Sequence, residues 1–389
     1  MTIRNAAIIG AGMAGLTAAL ALAQRGVRVH VLEQAPYLAE VGAGLQISPN
    51  ASRILAKLGV LSGLEALWTE PDRISLASGR TLGRVAHVPV GRSARERWRA
   101  PYGVLHRASL QGVLRHAVEA NPMCTLHLGR RINHGDAAII ADVIGEPADL
   151  IVGADGVWSS VRDSIASAPE PDFSQNVAWR FMVEGHRAPG FLSPQSVTAF
   201  LGPSAHIVCY PLKETGGFNI VAIAAGVTPG ETWEASATAE ETSMLLRQFR
   251  GWNPQIIEML RQCENAKFWP LYQVSNGNWH NGHNKVLIGD AAHAMMPFAA
   301  QGAAMAIEDA WELAQQVSRP VADLPQGLAA YETIRKARID KVRRRGNFNR
   351  FAYHLRGPLR LGRDIVLALR PPQSLAADLD WLYGYESTV

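Results

Sequence analysis

Gly10-Ala11-Gly12-Met13-Ala14-Gly15 stands between the apolar run Ile3 to Ile9 and the Ala/Leu-rich stretch Leu16 to Gln24. The run predicts a buried strand and the stretch a helix, which Gly26 ends. Gly10 permits the tight turn, Gly12 lets the backbone approach a pyrophosphate, and Gly15 lets the helix pack closely on the strand. The helix start then offers free N–H groups and a positive dipole end to phosphates. Val27 to Leu32 predicts a second strand, and parallel pairing requires such a helical crossover. Glu33 closes it, 18 residues after Gly15, where a carboxylate bonds ribose hydroxyls. Gly10, Gly12, Gly15, Glu33 and the adjacent Gln34 therefore form a candidate dinucleotide site, which by itself does not separate FAD from NAD.

Length and composition agree with a large globular chain. Its 389 residues suggest two domains, or one with a substantial insertion. Apolar residues at 48% and charged residues at 19% permit a large core and exclude disorder. The net charge of +4 does not indicate nucleic acid but suits anionic ligands. Cys124, Cys209 and Cys263 form no CxxC pair and no metal spacing, so a reduced, cytoplasmic setting is expected, with no disulfide framework and no metal. No secretory leader and no transmembrane run are read in the chain.

Further along, Tyr102 to His106 predicts a strand, Ser109 to Ala120 a helix and Asp149 to Ala154 a buried strand. Alternating, strand-like segments from Val177 to Ala225, such as Trp179–Val183, His206–Pro211 and Phe218–Ala224, predict an antiparallel sheet inserted into the nucleotide domain. Ala239 to Arg250 and Pro254 to Glu264 read as helices, Val286 to Ile288 as a buried strand. Gly302 to Val317 and Leu328 to Asn349 read as long helices. The expected architecture is α/β. A Rossmann-like domain comprises 1–72, 100–172 and 275–370. A mixed or antiparallel substrate domain comprises 73–99 and 173–274, C-terminal helices follow, and 371–389 is a tail.

Two more segments carry chemistry. In Asp149-Leu-Ile-Val-Gly153-Ala-Asp155-Gly156-Val-Trp-Ser159-Ser-Val-Arg162, a strand runs into a Gly-x-Asp-Gly turn. The plainest reading is a helix cap at Ser159 or Ser160. In Val286-Leu-Ile-Gly289-Asp290-Ala-Ala-His293, a strand delivers Asp290 to its C-terminal end, where open α/β sheets bind ligands. Pro297-Phe-Ala-Ala-Gln301-Gly302-Ala303 follows and starts a helix able to stabilise an anion.

These segments, in this order, resemble the FAD-dependent class A aromatic hydroxylases, which include salicylate, 3-hydroxybenzoate and 6-hydroxynicotinate monooxygenases. The resemblance spans nearly the whole chain. It includes Gly42-Ala-Gly44-Leu-Gln46-Ile-Ser-Pro49-Asn50, His106-Arg107 and Trp381-Leu-Tyr-Gly-Tyr385. It implies noncovalent FAD, with NAD(P)H as a transient cosubstrate and O2 delivered to a small phenolic or anionic ring through a flavin C4a-hydroperoxide. By that resemblance Glu33 binds the adenosine ribose and Arg107 lies against the phosphates or ring. Asp155 and Gly156 touch FAD, and Asp290 bonds its ribityl or pyrophosphate part. Pro297 to Gly302, with Gln301 and Ala303, faces the flavin. A homodimer is compatible with it.

His206-Ile-Val-Cys-Tyr210 is the candidate substrate strand, because positions i and i+4 of a strand share a face. It makes His206 the candidate base, near its ordinary pKa of about 6.5, with Tyr210, Gln46 and Pro297 completing the catalytic set. The plain alternative is a core tyrosine and a partly exposed histidine. A His/Tyr pair at this spacing resembles the 6-hydroxynicotinate enzymes. They carry histidine where this chain has Gln46, and glutamine there resembles the 3-hydroxybenzoate branch. His293 reads as loop packing, and His280 and His283 as a polar turn. The arginines from Arg335 to Arg350 read as a solvated helix face, with attraction to an anionic membrane or to NAD(P)H as sharper readings. The rival functions are a reductase or oxidase of the same fold acting on a non-aromatic substrate, and a non-catalytic FAD-binding redox protein.

Overall fold

The computed structural model describes residues 3–38, 44–226, 235–236, 239–262, 266–274, 276–319 and 323–387. Gly42, Ala43, Cys263 and Glu264 lie outside the described residues.

A five-stranded parallel sheet runs in the order Lys285–Leu287, Leu150–Gly153, Asn5–Ile9, Arg28–Leu32, Cys124–His127. Leu150–Gly153 and residues 6–9 at its centre are apolar and buried because helices cover both faces. The first crossover helix, Met13–Ala23, starts three residues before the stretch read from the sequence and takes Gly15 into its first turn. It packs against the buried helix Gly302–Val317, whose bounds agree with the sequence reading.

An eight-stranded sheet follows the order Ala235–Ser236, Lys267–Val274, Pro171–Val183, Gly217–Ala225, Ala205–Leu212, Ser196–Gly202, Arg73–Ser78, Arg84–Pro89. It is mixed: Ser196–Gly202 pairs parallel to Arg73–Ser78, and the other pairings are antiparallel. Alternate residues of Ala205–Leu212 serve two different neighbours. Ile207 and Cys209 enter a core with Trp179, Phe249 and Ile256, while His206, Val208 and Tyr210 face the nucleotide domain. Both faces are covered, so the strand is buried along nearly its whole length. A short antiparallel pair, Gly44–Ile47 with Gly103–His106, lies between the two sheets in sequence and supplies Gln46.

The helix read as Leu328–Asn349 spans Leu324–Tyr353, with the Asp323 carboxylate accepting from the Gln326 N–H at its start. Residues 371–387, expected as a tail, form helices Pro372–Ala377 and Asp380–Tyr383, with Leu375, Leu379, Leu382 and Tyr383 buried. Arg97 and Trp98 donate to the Asp380 carboxylate at 2.6 and 2.8 Å, and Arg53 donates to the Tyr385 carbonyl at 2.7 Å.

Candidate active site

The C-terminal ends of the parallel strands open on a cleft of about 320 Å³. Gly10, Gly12, Glu33, Gln34, Arg107, Asp155, Gly156, Asp290, Gly302 and Ala303 all line it. The three motif glycines differ in what surrounds them. Gly10 has φ +106°, and a Cβ there would meet the Ala154 carbonyl oxygen at 2.6 Å. A Cβ on Gly15 would lie 2.0 Å from the Gly10 carbonyl oxygen, so Gly15 serves helix–strand packing and not the cleft. A Cβ on Gly12 would meet no atom within 4 Å and would project into the cradle. Gly12→Val is therefore expected to leave a folded chain with normal thermal unfolding and no retained flavin. Full flavin occupancy by absorbance in that variant would exclude the cleft as the pyrophosphate site.

The acids around the cleft are held by backbone. The Glu33 carboxylate accepts from the Ala11 and Ala35 N–H groups at 2.8 and 2.9 Å. That anchors it at the end of its strand, on the wall of the cleft. Asp155 Oδ2 accepts from the Ser160 and Val161 N–H groups at 2.8 and 3.2 Å, while buried Oδ1 has no protein partner. Burial raises its pKa, against those hydrogen bonds. A buried oxygen without a partner, on the wall of a nucleotide-sized cleft, fits a bound group that donates to it. The Arg162 guanidinium donates to the Val157 and Ala291 carbonyls at 2.6 and 3.2 Å, tying the Asp155-Gly156 turn to the segment after Asp290.

Gln301 differs from expectation. It lines none of the cavities described here but sits in a buried polar network with Ser48 and Asn50, at the start of Gly302–Val317. The network continues through Glu308, which Asn50, Arg335 and Arg338 all contact. His293 packs there too, against Asp309 at 2.5 Å.

A second cavity, of about 240 Å³, shares Met13, Arg107, Asp290, Gly302 and Ala303 with the cleft and adds Gln46, Arg180, Tyr210, Trp269 and Pro297. A third, of about 480 Å³, shares Gln46, Val208, Pro297 and Ala300 with the second and holds His206. His206 and Tyr210 thus lie on one strand face but in adjoining cavities, with Val208 between them. Gln46 Oε1 accepts from the Tyr102 hydroxyl at 2.5 Å, which fixes the amide on the cavity wall. The Asn219 side-chain oxygen accepts from the Gly44 N–H at 2.9 Å. A Cβ at Gly44 would lie 2.6 Å from the Tyr210 ring, so glycine sets how closely this backbone approaches Tyr210.

His206 is buried, not partly exposed, and its Nδ1 lies 3.0 Å from His354 Nε2. Phe298 and Tyr353 pack on its ring. Burial, then His354, push its pKa down to about 3, which corrects the expectation of an ordinary histidine. Burial lowers His354 as well, to about 4. Burial raises Tyr210, against the nearby Arg180. His354, Tyr102, Tyr353 and Arg180 were not singled out from the sequence. His354 ends a long helix with no motif around it, and Arg180 is one charge in an otherwise ordinary strand.

A family model described as FAD binding domain matches residues 4–346. The chain is 35% identical to a 3-amino-4-hydroxybenzoate 2-monooxygenase of Streptomyces platensis, over 98% of this chain and 96% of that protein. It is 33% identical to 3-hydroxybenzoate 6-hydroxylase 1 of Aquipseudomonas alcaligenes, over 98% of each. A salicylate hydroxylase substrate complex superposes with TM-score 0.79 at 22% identity, covering 99% of this chain and 96% of that one, and shares its fold. With a cleft built for a dinucleotide and a second sheet closing cavities beside it, the chain belongs to the FAD binding domain family, among its flavin-dependent aromatic monooxygenases.

Proposed function

We propose that the chain hydroxylates a small ring carrying a phenolic hydroxyl and an anionic group, of the hydroxybenzoate type, with NAD(P)H and O2 as cosubstrates. The observation that carries this reading is the continuity of the nucleotide cleft with two cavities. Their shared wall bears Gln46 and Pro297 and their sheet side bears His206 and Tyr210. Bound FAD supplies the redox and oxygen-transfer chemistry. The residues of this chain bind, orient and move protons.

Glu33 holds the adenosine ribose, and Gly12 and the helix starting at Met13 cradle the pyrophosphate. Asp155, Gly156 and Asp290 contact the middle of the cofactor. Gly302 starts a 16-residue helix at the cleft, so its dipole favours negative charge at that edge. Arg107 lies where the cleft meets the middle cavity, against the phosphates or ring of the cofactor, and Arg180 lines the middle cavity, where its guanidinium meets a substrate carboxylate. His206, neutral in the free enzyme, is the base for the ring hydroxyl proton once the phenolate charge forming beside it raises its affinity for that proton, and the ionised ring is richer in electrons at the carbon attacked. Tyr210 and Gln46 orient the ring, and the apolar wall around Val208 and Pro297 excludes water. We assign 1–72, 100–172 and 275–370 to FAD binding and 73–99 and 173–274 to the substrate. Cysteines without a pairing pattern fit a cytoplasmic setting.

The test is a panel of hydroxybenzoates and hydroxypyridines, with aliphatic acids as controls. We expect hydroxylated aromatics to accelerate NAD(P)H oxidation and to gain one oxygen atom from labelled O2. NAD(P)H consumption without oxygen in any ring, or stimulation by aliphatic acids alone, would overturn the proposal.

A further inference from the structure

Helix Gly357–Leu369 is built with its polarity reversed. None of its 13 residues is buried. Its more exposed positions are apolar: Leu359, Leu361, Ile365, Val366 and Leu369 are 56 to 78% exposed. Its half-covered positions include Arg360, Arg363 and Asp364, the last two paired at 2.6 Å. On an ordinary surface helix the apolar stripe faces the core and the charges face water. Phe348 and Phe351, at the end of the preceding helix, are also exposed. Seven of the twelve large apolar side chains exposed among the described residues thus fall between 348 and 369. Scattered singly they would need no explanation, but gathered in this way they mark an interaction surface.

Charge identifies the partner. From Asp340 to Asp378 the chain carries nine cationic side chains (Lys341, Arg343, Arg344, Arg345, Arg350, Arg356, Arg360, Arg363, Arg370) and three carboxylates, Asp340, Asp364 and Asp378, which pair with Arg343, Arg363 and Arg370. Arg344, Arg345, Arg350, Arg356 and Arg360 have no ion pair among the described residues. A second copy of this chain on the same face would bring that positive field against itself. A bilayer surface with anionic headgroups accepts both the apolar stripe and the arginines.

We propose that this face seats the enzyme on an anionic membrane surface, with the apolar stripe at the headgroup–acyl boundary and the arginines on the headgroups. The placement has a consequence for access. Phe348, Phe351 and Val366 are exposed and also line the 480 Å³ cavity that holds His206, so the cavity reaches the surface at the docked face.

The test uses the FAD-loaded enzyme in flotation with vesicles of phosphatidylcholine alone or mixed with phosphatidylglycerol. Binding is expected to the mixed vesicles, weakening as salt rises, and not to phosphatidylcholine alone. Arg344→Glu with Arg356→Glu is expected to weaken it by at least roughly 25-fold, since each cation near an anionic surface contributes roughly fivefold. Leu361→Gln with Ile365→Gln and Leu369→Gln should remove binding while flavin content and turnover of a water-soluble substrate stay unchanged. Equal binding to both vesicle types, or none, would overturn the proposal. So would a stable dimer by light scattering that the same glutamine replacements dissociate, which would make a second copy the occupant.

Discussion

Arg335→Met is expected to destabilise the protein by about 3–5 kcal/mol, the usual consequence of removing one partner from a buried ionic group. Arg335 is fully buried and donates to Asp309 Oδ1 at 2.7 Å, Glu308 Oε2 at 2.6 Å and the Met305 carbonyl at 3.3 Å. Methionine keeps much of the volume but leaves two buried carboxylates undercompensated. Glu308 retains Arg338 and Asn50, whereas among the described residues Asp309 retains His293 and the Gly289 N–H. Acid should expose the difference. Burial alone would raise Asp309, but His293 and Arg335 outweigh it and hold the pKa at about 2, below its ordinary 3.8. A carboxylate with a depressed folded pKa adds stability that is present above 3.8 and lost as pH falls through about 2. Without Arg335 that depression shrinks, so acid unfolding should begin at higher pH. Arg335→Lys should fall between, keeping the charge but losing the planar fork. Urea unfolding at neutral pH checks the first expectation and an acid titration of fluorescence the second. A loss below about 1 kcal/mol, in the range of an exposed pair, would show that the cluster is dispensable. Glu308 and Asp309 belong to the helix that begins at Gly302 on the cleft, so flavin retention should fall along with stability.

His206→Ala is expected to slow hydroxylation by about 10²–10⁴-fold, the range for losing a general base. Flavin content should stay near normal, because His206 lies in the cavity furthest from the cleft. The fraction of NAD(P)H converted to hydroxylated product should also fall, since an un-ionised ring is a poorer acceptor of oxygen. Burial changes the expected pH dependence. kcat/KM reports the free enzyme, in which His206 titrates at about 3 and is neutral throughout the neutral range. No limb near pH 6.5 should therefore belong to it. His354, Tyr353 and Phe298 surround the ring, and Arg350 acts on His354. His354→Gln should thus alter the response of His206 without removing the base. Unchanged coupling and an unchanged rate of hydroxylation in His206→Ala would assign that side chain to packing. The search would then move to Tyr210 and Gln46.

The fold was legible wherever the constraint is local. The strand, glycine turn, helix and acid from Ile3 to Glu33 lie within one βαβ unit, where turn geometry, helix dipole and strand burial each demand particular residue types. Gly302–Val317 was legible because a loop with Pro297 and a glycine start punctuate it. Arg73–Ser78 was not read as a strand, and Ser196–Gly202 was legible only as part of an alternating stretch, with no partner indicated. They pair in parallel across more than a hundred residues, and nothing local announces such a pairing.

The same division holds at the site. From the sequence alone follow a dinucleotide cleft with Gly12, Glu33 and Asp290 at strand ends, which the family resemblance extends to Asp155, and a strand that turns His206 and Tyr210 to one side. These depend on backbone geometry and on a period of two, both of which are properties of neighbouring residues. Only the tertiary structure decided that His206 meets His354, 148 positions away, in an apolar cage that strips it of its ordinary titration. Only it drew the Gln301 side chain into the network of Ser48 and Asn50, packed residues 371–387 onto the core, and turned the apolar side of Gly357–Leu369 outward. Burial, desolvation and the partner a polar group finds depend on which distant segments close around it, and residue order does not carry that information until the chain has packed.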